Sequence, residues 1–136
     1  MRVLLVSGSY PPMPCGIGDY TAQLAKTLGR RGDVTVAVLT GIAAEGVTEE
    51  GVELFPVVRT WGIAEASSIV GRIRRWRPDV VHIQYPTHYY REIQWVLPTL
   101  ARIVNGPVVQ TWHEYYSSRS WPSVLNAALP GGLVVV

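Results

Sequence analysis

The sequence predicts an α/β fold in which helices cover both faces of a parallel β-sheet. Short apolar runs alternate along the chain with longer segments of helical periodicity, which is the pattern of successive β-α-β units. The strand-like runs are apolar throughout, as expected for strands that are buried on both faces. The chain has 136 residues, of which 48% are hydrophobic and 16% charged, so it can form one domain with a substantial core.

The predicted elements follow one another in a regular order. Strands are expected at 2–7, 34–39, 52–58, 80–84, 108–111 and 133–136, and helices at 18–31, 64–76, 90–104 and, more weakly, 117–128. Four apolar side chains of the first helix recur at helical spacing and are expected to face the sheet. They are Ile17, Tyr20, Leu24 and Leu28. Pro98 is expected to kink or break the third helix, because a proline removes a helical hydrogen bond.

The second helix combines an apolar face with a strongly basic one. Its arginines are Arg72, Arg74, Arg75 and Arg77. A solvated face is the usual role of such a cluster, and the alternative is peripheral contact with an anionic membrane surface, aided by Trp76. The net charge of +2 is too small to indicate a nucleic-acid partner.

Features of the whole chain predict a cytoplasmic protein, with the inner membrane surface as the alternative site if the basic helix makes peripheral contact. Cys15 is the only cysteine, so no disulfide can form within the chain, which is typical of a reducing compartment. The apolar stretch at the N-terminus is too short for a signal peptide or a membrane-spanning helix. The chain ends on the bare apolar residues 134–136, and we expect it to continue into a longer protein.

Three predicted strands end in polar or turn-forming residues, at the edge of a parallel sheet where ligands bind. The first strand leads to Gly16-Ile17-Gly18 at the start of a helix, where free N–H groups and the helix dipole can hold a phosphate. The alternative is that these glycines only permit a tight turn. Asp19 is expected either to cap the helix or to bind a substrate hydroxyl group.

The fourth and fifth strands supply the other candidates. Gln84, Tyr85 and Thr87 stand where the fourth strand meets its loop and can line a cleft. His113 closes the fifth strand beside Glu114, where an imidazole can donate to phosphate or sugar oxygens or exchange a proton. His82 lies in the middle of its strand, which is more typical of a core residue. The three histidines are scattered without the spacing of metal ligands, so no metal site is predicted.

Two other functions stay open at this point. A nucleotide-dependent oxidoreductase or epimerase is disfavoured, since Thr21 replaces the third glycine of the dinucleotide fingerprint and Thr40 stands where an acidic residue is expected. A non-catalytic ligand-binding module of the flavodoxin or Rossmann type remains the second alternative.

Three segments in order resemble one known family. These segments are the opening strand 2–7 with Tyr10-Pro11-Pro12 and Gly16-Ile17-Gly18, then 78–84, then 108–114. Together they are similar to the N-terminal domain of retaining glycosyltransferases of the GT-B fold, family 4 (glycosyl transferase group 1), over nearly the whole chain.

The resemblance implies a fold and a function. The fold would be the Rossmann-like N-terminal half of two domains, and the full protein would transfer a sugar from a nucleotide-sugar donor to a glycan, lipid or small-molecule acceptor with retention. This acceptor-side half would fold alone but not turn over without the C-terminal domain. No metal and no cofactor are implied.

The resemblance also implies roles for particular residues. Gly16 and Gly18 would approach the diphosphate of the donor, and His113 would act in catalysis near the transferred sugar. The residues expected on the acceptor side are Asp19, Gln84, Tyr85, Thr87 and Glu114.

Overall fold

The computed structural model describes residues 1–85, 89–113 and 132–135. In this part of the chain, six strands and three α-helices occur. The strands are β1 (Arg2–Val6), β2 (Thr35–Gly41), β3 (Val52–Val58), β4 (Val80–Tyr85), β5 (Val108–Trp112) and β6 (Gly132–Val135). The helices are α1 (Gly16–Gly29), α2 (Ala66–Trp76) and α3 (Leu97–Asn105), with short 3₁₀ helices at Ile42–Ala44, Ile63–Glu65 and Glu92–Trp95. The helix predicted at 117–128 lies outside the described residues.

All six strands run parallel in one sheet with the order β3-β2-β1-β4-β5-β6. The chain begins at the centre of the sheet, builds outward to β3, returns to the other side of β1 and builds outward again. This is the strand order of the Rossmann fold, and the direction of building reverses between β1 and β4. The predicted Rossmann-like α/β class is therefore confirmed.

The two faces of the sheet carry separate cores. On one face, α1 packs against β1 and β2. On the other face, α2 and α3 pack against the alternate side chains of the strands. The first core includes Val3, Leu5, Val36, Val38, Ala22 and Ala25, and the second includes Leu4, Val6, Val81, Ile83, Ile69, Ile73 and Leu97. Each fully buried large side chain contributes roughly 1.5–3 kcal/mol of transfer free energy.

The buried face of α1 differs from the prediction. Its buried residues are Gly18, Thr21, Ala22 and Ala25. Tyr20 is 37% exposed, so its predicted place against the sheet was wrong. The buried side chains are small because the helix lies close to the first loop: a Cβ atom on Gly18 would be 3.2 Å from backbone atoms of Ser9 and Tyr10.

The other two helices follow the prediction more closely. Ile69, Ile73 and Trp76 of α2 are buried, as their spacing indicated. The predicted break at Pro98 is confirmed, since a 3₁₀ helix at Glu92–Trp95 precedes α3 and Pro98 lies in the first turn of α3. A proline is tolerated there because the first N–H groups of a helix have no intrahelical acceptor.

Candidate functional site

The carboxyl ends of β1 and β4 adjoin at the point where the strand order reverses. Ligands of doubly wound sheets bind in the crevice outside this point. Three predicted candidates border it: the start of α1 after the loop from β1, the end of β4, and His113 directly after β5.

The first turn of α1 offers unpaired backbone donors. The first helical hydrogen bond runs from the N–H of Asp19 to the carbonyl of Cys15, at 2.9 Å. Cys15 is the N-cap residue and makes no side-chain capping bond. In the described part of the chain, the N–H groups of Gly16, Ile17 and Gly18 therefore have no hydrogen-bond partner, and the helix dipole adds partial positive charge at the same point.

Beneath this turn lies a layer of buried polar side chains on the α1 face of the sheet. Val6 pairs with both Leu39 and Ile83, so the residues that follow these three lie level with one another. This polar layer comprises Ser7, Thr40, Gln84 and Thr111, all at most 1% exposed. At this level, each of β2, β1, β4 and β5 carries a polar side chain on this face, either at its end or, for β1, directly after it.

Hydrogen bonds join the polar layer to the loop and to α1. Ser7 Oγ donates to the carbonyl of Ser9 at 2.7 Å, and Thr21 Oγ1 of α1 lies 3.3 Å from Ser7 Oγ. Ser9 Oγ is buried without a hydrogen-bond partner in the described residues, and it lies against Gly18. The loop is therefore held at a fixed height above the sheet, close to the start of α1.

His113 lies at the upper edge of this layer. Its Nε2 is 2.8 Å from Oε1 of Gln84, and its backbone N–H donates to the carbonyl of Tyr85 at 2.9 Å. The ring of Tyr20 meets the His113 ring edge to face, with 4.8 Å between centroids. Because Tyr20 directly follows the first turn of α1, this contact brings the start of the helix and His113 to one site.

His82 forms a second, deeper polar pair. Its Nε2 lies 2.7 Å from Thr111 Oγ1. Burial, with a smaller contribution from the nearby His113, lowers the pKa of His82 to about 4. His82 is therefore neutral at pH 7 and belongs to the interior, as its position in the middle of the strand indicated.

The remaining predicted site residues are distributed differently. Asp19 is exposed in the first turn of α1. Tyr85 is 4% exposed and stacks on Trp112 with 4.8 Å between ring centroids, so it belongs to the core on the α2 side of the sheet. Gln84 is fully buried and contacts His113 instead of solvent. Thr87 and Glu114 lie outside the described residues.

Sequence reasoning missed several members of this site. They are Tyr20, Thr21, Thr40 and Thr111, with Ser7 noted only as part of a loop. For Ser7, Thr40 and Thr111 the signal is a shared position, since each stands at or directly after a strand end and alternation directs it to the α1 face of the sheet. Tyr20 was instead assigned to the buried face of α1, because apolar periodicity alone gave it that place.

The basic surface of α2 lies at the opposite, amino-terminal edge of the sheet. A shallow depression of about 650 Å³ is lined by Trp76 and four arginines, which are Arg2, Arg74, Arg75 and Arg77. Trp76 is buried: the guanidinium of Arg2 covers its ring at 4.2 Å, and its Nε1 donates to Glu53 at 2.8 Å. Arg72 is half-buried, with its guanidinium over the ring of Phe55 at 4.5 Å, whereas Arg74, Arg75 and Arg77 are exposed.

The described part of the chain contains neither a membrane-spanning helix nor a cluster of metal ligands. None of the helices found there is long and apolar enough to cross a membrane. The same residues include no group of three or more His, Cys, Asp or Glu side chains that could hold a metal ion.

Comparison with known proteins agrees with the fold. The profile of the glycosyl transferase 4-like domain matches residues 15–133, which include α1, the polar ends of β4 and β5, and His113. No curated protein is similar enough to count as a match. Since the matched segment spans most of the 136 residues, the chain belongs to the glycosyl transferase 4-like domain family.

Proposed function

We propose that this domain is the acceptor-side half of a retaining glycosyltransferase that uses a nucleotide-sugar donor. The observation that carries the proposal is the contact between Tyr20 and His113, which joins an uncapped helix N-terminus to an imidazole at the strand-order switch. A diphosphate-linked sugar needs both features, a site for the phosphate charge and a donor group next to the sugar.

The helix N-terminus suits the leaving diphosphate. Sugar transfer breaks the bond between the anomeric carbon and a phosphate oxygen, so negative charge grows on the diphosphate in the transition state. The N–H groups of Gly16, Ile17 and Gly18 are already oriented by α1 and can stabilise that charge without reorganisation. The N–H groups carry only partial positive charge, so the proposal also requires basic side chains of a C-terminal domain to balance the diphosphate.

His113 suits a position beside the transferred sugar. Its ring is held from two sides by Gln84 and Tyr20, and it is only half-buried. An imidazole fixed in this way can donate a hydrogen bond to a sugar hydroxyl or a phosphate oxygen as the bond breaks.

The acceptor would approach across the exposed rim of the same edge. Asp19 is exposed in the first turn of α1 and its carboxylate can accept a hydrogen bond from an acceptor hydroxyl group. Tyr20 of α1 and Tyr89, which follows β4, are each 37% exposed, and aromatic rings of this kind pack against the apolar faces of sugars. These groups fit a hydroxyl-bearing glycan, lipid or small molecule.

We place the protein in the cytoplasm, and the basic surface offers at most a peripheral contact with anionic lipid. Arg74, Arg75 and Arg77 are exposed, whereas Trp76 is buried and cannot insert into a bilayer. Any such contact would be electrostatic and would weaken with salt.

The decisive experiment follows donor consumption by the full protein that carries this domain. Release of nucleoside diphosphate from a panel of UDP- and GDP-sugars is measured for the wild type, for His113→Ala and for Arg75→Ala, which changes the distant basic surface. We expect His113→Ala to lower turnover on the order of a hundredfold and Arg75→Ala to have little effect. Thermal unfolding of the same variants shows whether the loss is one of folding.

Two results would reject the proposal. If His113→Ala turns over as fast as the wild type, His113 has no place in the reaction. If the 136-residue domain alone transfers sugar at the rate of the full protein, it is not one half of a two-domain enzyme.

A further inference from the structure

Gln84 is fully buried next to the proposed catalytic imidazole. We infer that Gln84 is a positioning residue, whose amide oxygen accepts the Nε2 proton of His113 and fixes the orientation and tautomer of that ring. This inference deepens the proposed function and rests on it for the role of His113.

The geometry of the pair supports this assignment. Oε1 of Gln84 is 2.8 Å from Nε2 of His113, which is the length of a good hydrogen bond. A carbonyl oxygen can only accept, so the bond requires a proton on Nε2. Gln84 is 0% exposed, and its Nε2 is enclosed without a partner among the described residues, so its amide cannot reach a ligand at the rim.

Two further contacts hold the backbone and the ring of His113 in place. The backbone of His113 is anchored by its N–H bond to the carbonyl of Tyr85. The ring of Tyr20 limits the imidazole by edge-to-face packing, which restricts its position but selects neither nitrogen. The hydrogen bond to Gln84, in contrast, is made by Nε2 and so distinguishes this nitrogen from Nδ1.

A second pair in the same sheet provides an internal comparison. His82 of β4 bonds Thr111 of β5, and Gln84 of β4 bonds His113 directly after β5, so each pair joins residues 29 positions apart. Both residues of the second pair lie two positions further along the chain than the corresponding residues of the first pair. Thr111→Val therefore removes the partner of His82 by a similar small change and serves as the matched control.

The consequence for function follows from the sensitivity of catalysis to geometry. A neutral hydrogen bond of this kind contributes little to stability, but displacement of a reacting group by about 1 Å can slow a reaction about a hundredfold. Gln84 should therefore matter more for turnover than for folding.

The test is a direct observation of the ring proton by NMR on the full 136-residue chain. An imidazole proton that exchanges freely with water gives no one-bond ¹H–¹⁵N signal, whereas a buried hydrogen-bonded one does. We expect such a signal from Nε2 of His113 in the wild type, assigned by its loss in His113→Gln. Gln84→Met keeps the side-chain length without an acceptor and should abolish the signal. Thr111→Val should keep it.

Gln84→Glu gives a second, independent outcome. A carboxylate at this position still accepts the proton and makes a shorter, charge-assisted bond, so the signal should persist and move downfield. This variant keeps the inference testable if Gln84→Met does not fold. A signal that survives in Gln84→Met, or one that fails to move in Gln84→Glu, would overturn the assignment.

Turnover in the full protein separates this inference from the proposed function. We expect Gln84→Met to lower kcat by about tenfold to a hundredfold with little change in KM, and Gln84→Glu to restore much of it. If the NMR results are as expected but neither the wild type nor any variant transfers sugar, the proposed function fails. The inference that Gln84 orients the ring of His113 then still stands. If wild-type transfer is normal and Gln84→Met equals it, the positioning role is refuted.

Discussion

Replacement of Gly18 by alanine tests whether the first loop and the start of α1 are in tight contact. A Cβ atom on Gly18 would lie 3.2 Å from the backbone carbon of Ser9, from Ser9 Oγ and from the backbone nitrogen of Tyr10. Two of these three atoms belong to the backbone of a buried loop, which cannot move aside as a side-chain end can. The same substitution at Gly16, two residues earlier, meets nothing within 4 Å.

The expected magnitude follows from two opposing terms. Alanine is favoured over glycine inside a helix by up to about 1 kcal/mol. Overpacking in a well-packed site destabilises by roughly 1–3 kcal/mol. Gly18→Ala should therefore be less stable than Gly16→Ala by about 1–3 kcal/mol, since both variants gain in propensity but only the first creates a steric conflict.

Unfolding of the two variants by heat, followed by circular dichroism, measures this difference. For a domain of this size, roughly 3 °C in Tm corresponds to 1 kcal/mol, so Gly18→Ala should melt about 3–9 °C below Gly16→Ala. Equal melting temperatures would show that the loop moves away from α1 without a free-energy penalty. The fixed geometry on which the proposed phosphate site depends would then be wrong.

Two further predictions concern the same region. The pKa of His82 is about 4 in the fold against 6.5 in the unfolded chain, so only the unfolded state gains this proton as pH falls between those values; stability should drop by up to about 3 kcal/mol across that window. Urea unfolding from pH 7 to pH 4 checks this, and an unchanged pH slope in His82→Gln would contradict it. Tyr90 OH donates to the carbonyl of Val6 at 3.1 Å, and Tyr90→Phe should lower the free energy of unfolding by about 1 kcal/mol, because this buried hydrogen bond is lost. An unaltered midpoint of denaturation would show that another donor replaces it.

The strands were predicted within one or two residues because their signal is local. A strand buried on both faces is a short apolar run, and 52–58 was predicted with the bounds that the structure gives to β3. The buried face of α1 was not predicted, because large apolar residues dominate the periodicity. Leu24 and Leu28 are half-buried beside the core, whereas the buried positions of α1 include Gly18, Ala22 and Ala25. A displacement of one residue turns a helix by about 100°, which is enough to expose Tyr20.

The candidate site was predicted in part for a similar reason. His113 and the two glycines were identified from their places at strand and helix ends, which follow from local patterns. The contact between Gln84 and His113 depends on the register between β4 and β5, which 1-D periodicity does not contain. Gln84 was therefore expected on the acceptor side, although its side chain is enclosed beneath the imidazole.

The central place of β1 has a consequence for synthesis of the chain. β1 pairs with β2 on one edge and with β4 on the other. About 80 residues separate the ends of β1 and β4, and at roughly 5–20 residues per second they take about 4–16 s to translate. One edge of β1 therefore waits without its partner while β2 and β3 are already available.

An unpaired apolar edge is a template for association with other chains. The segment from Val3 to Val6 has such an edge, and in the folded domain its side chains are among the most buried of the sheet. A strand that is almost fully buried in the finished domain thus waits longest for one of its two partners during translation. Loss of protein through aggregation should depend on how fast the segment up to residue 85 is translated, more than on the stability of the completed fold.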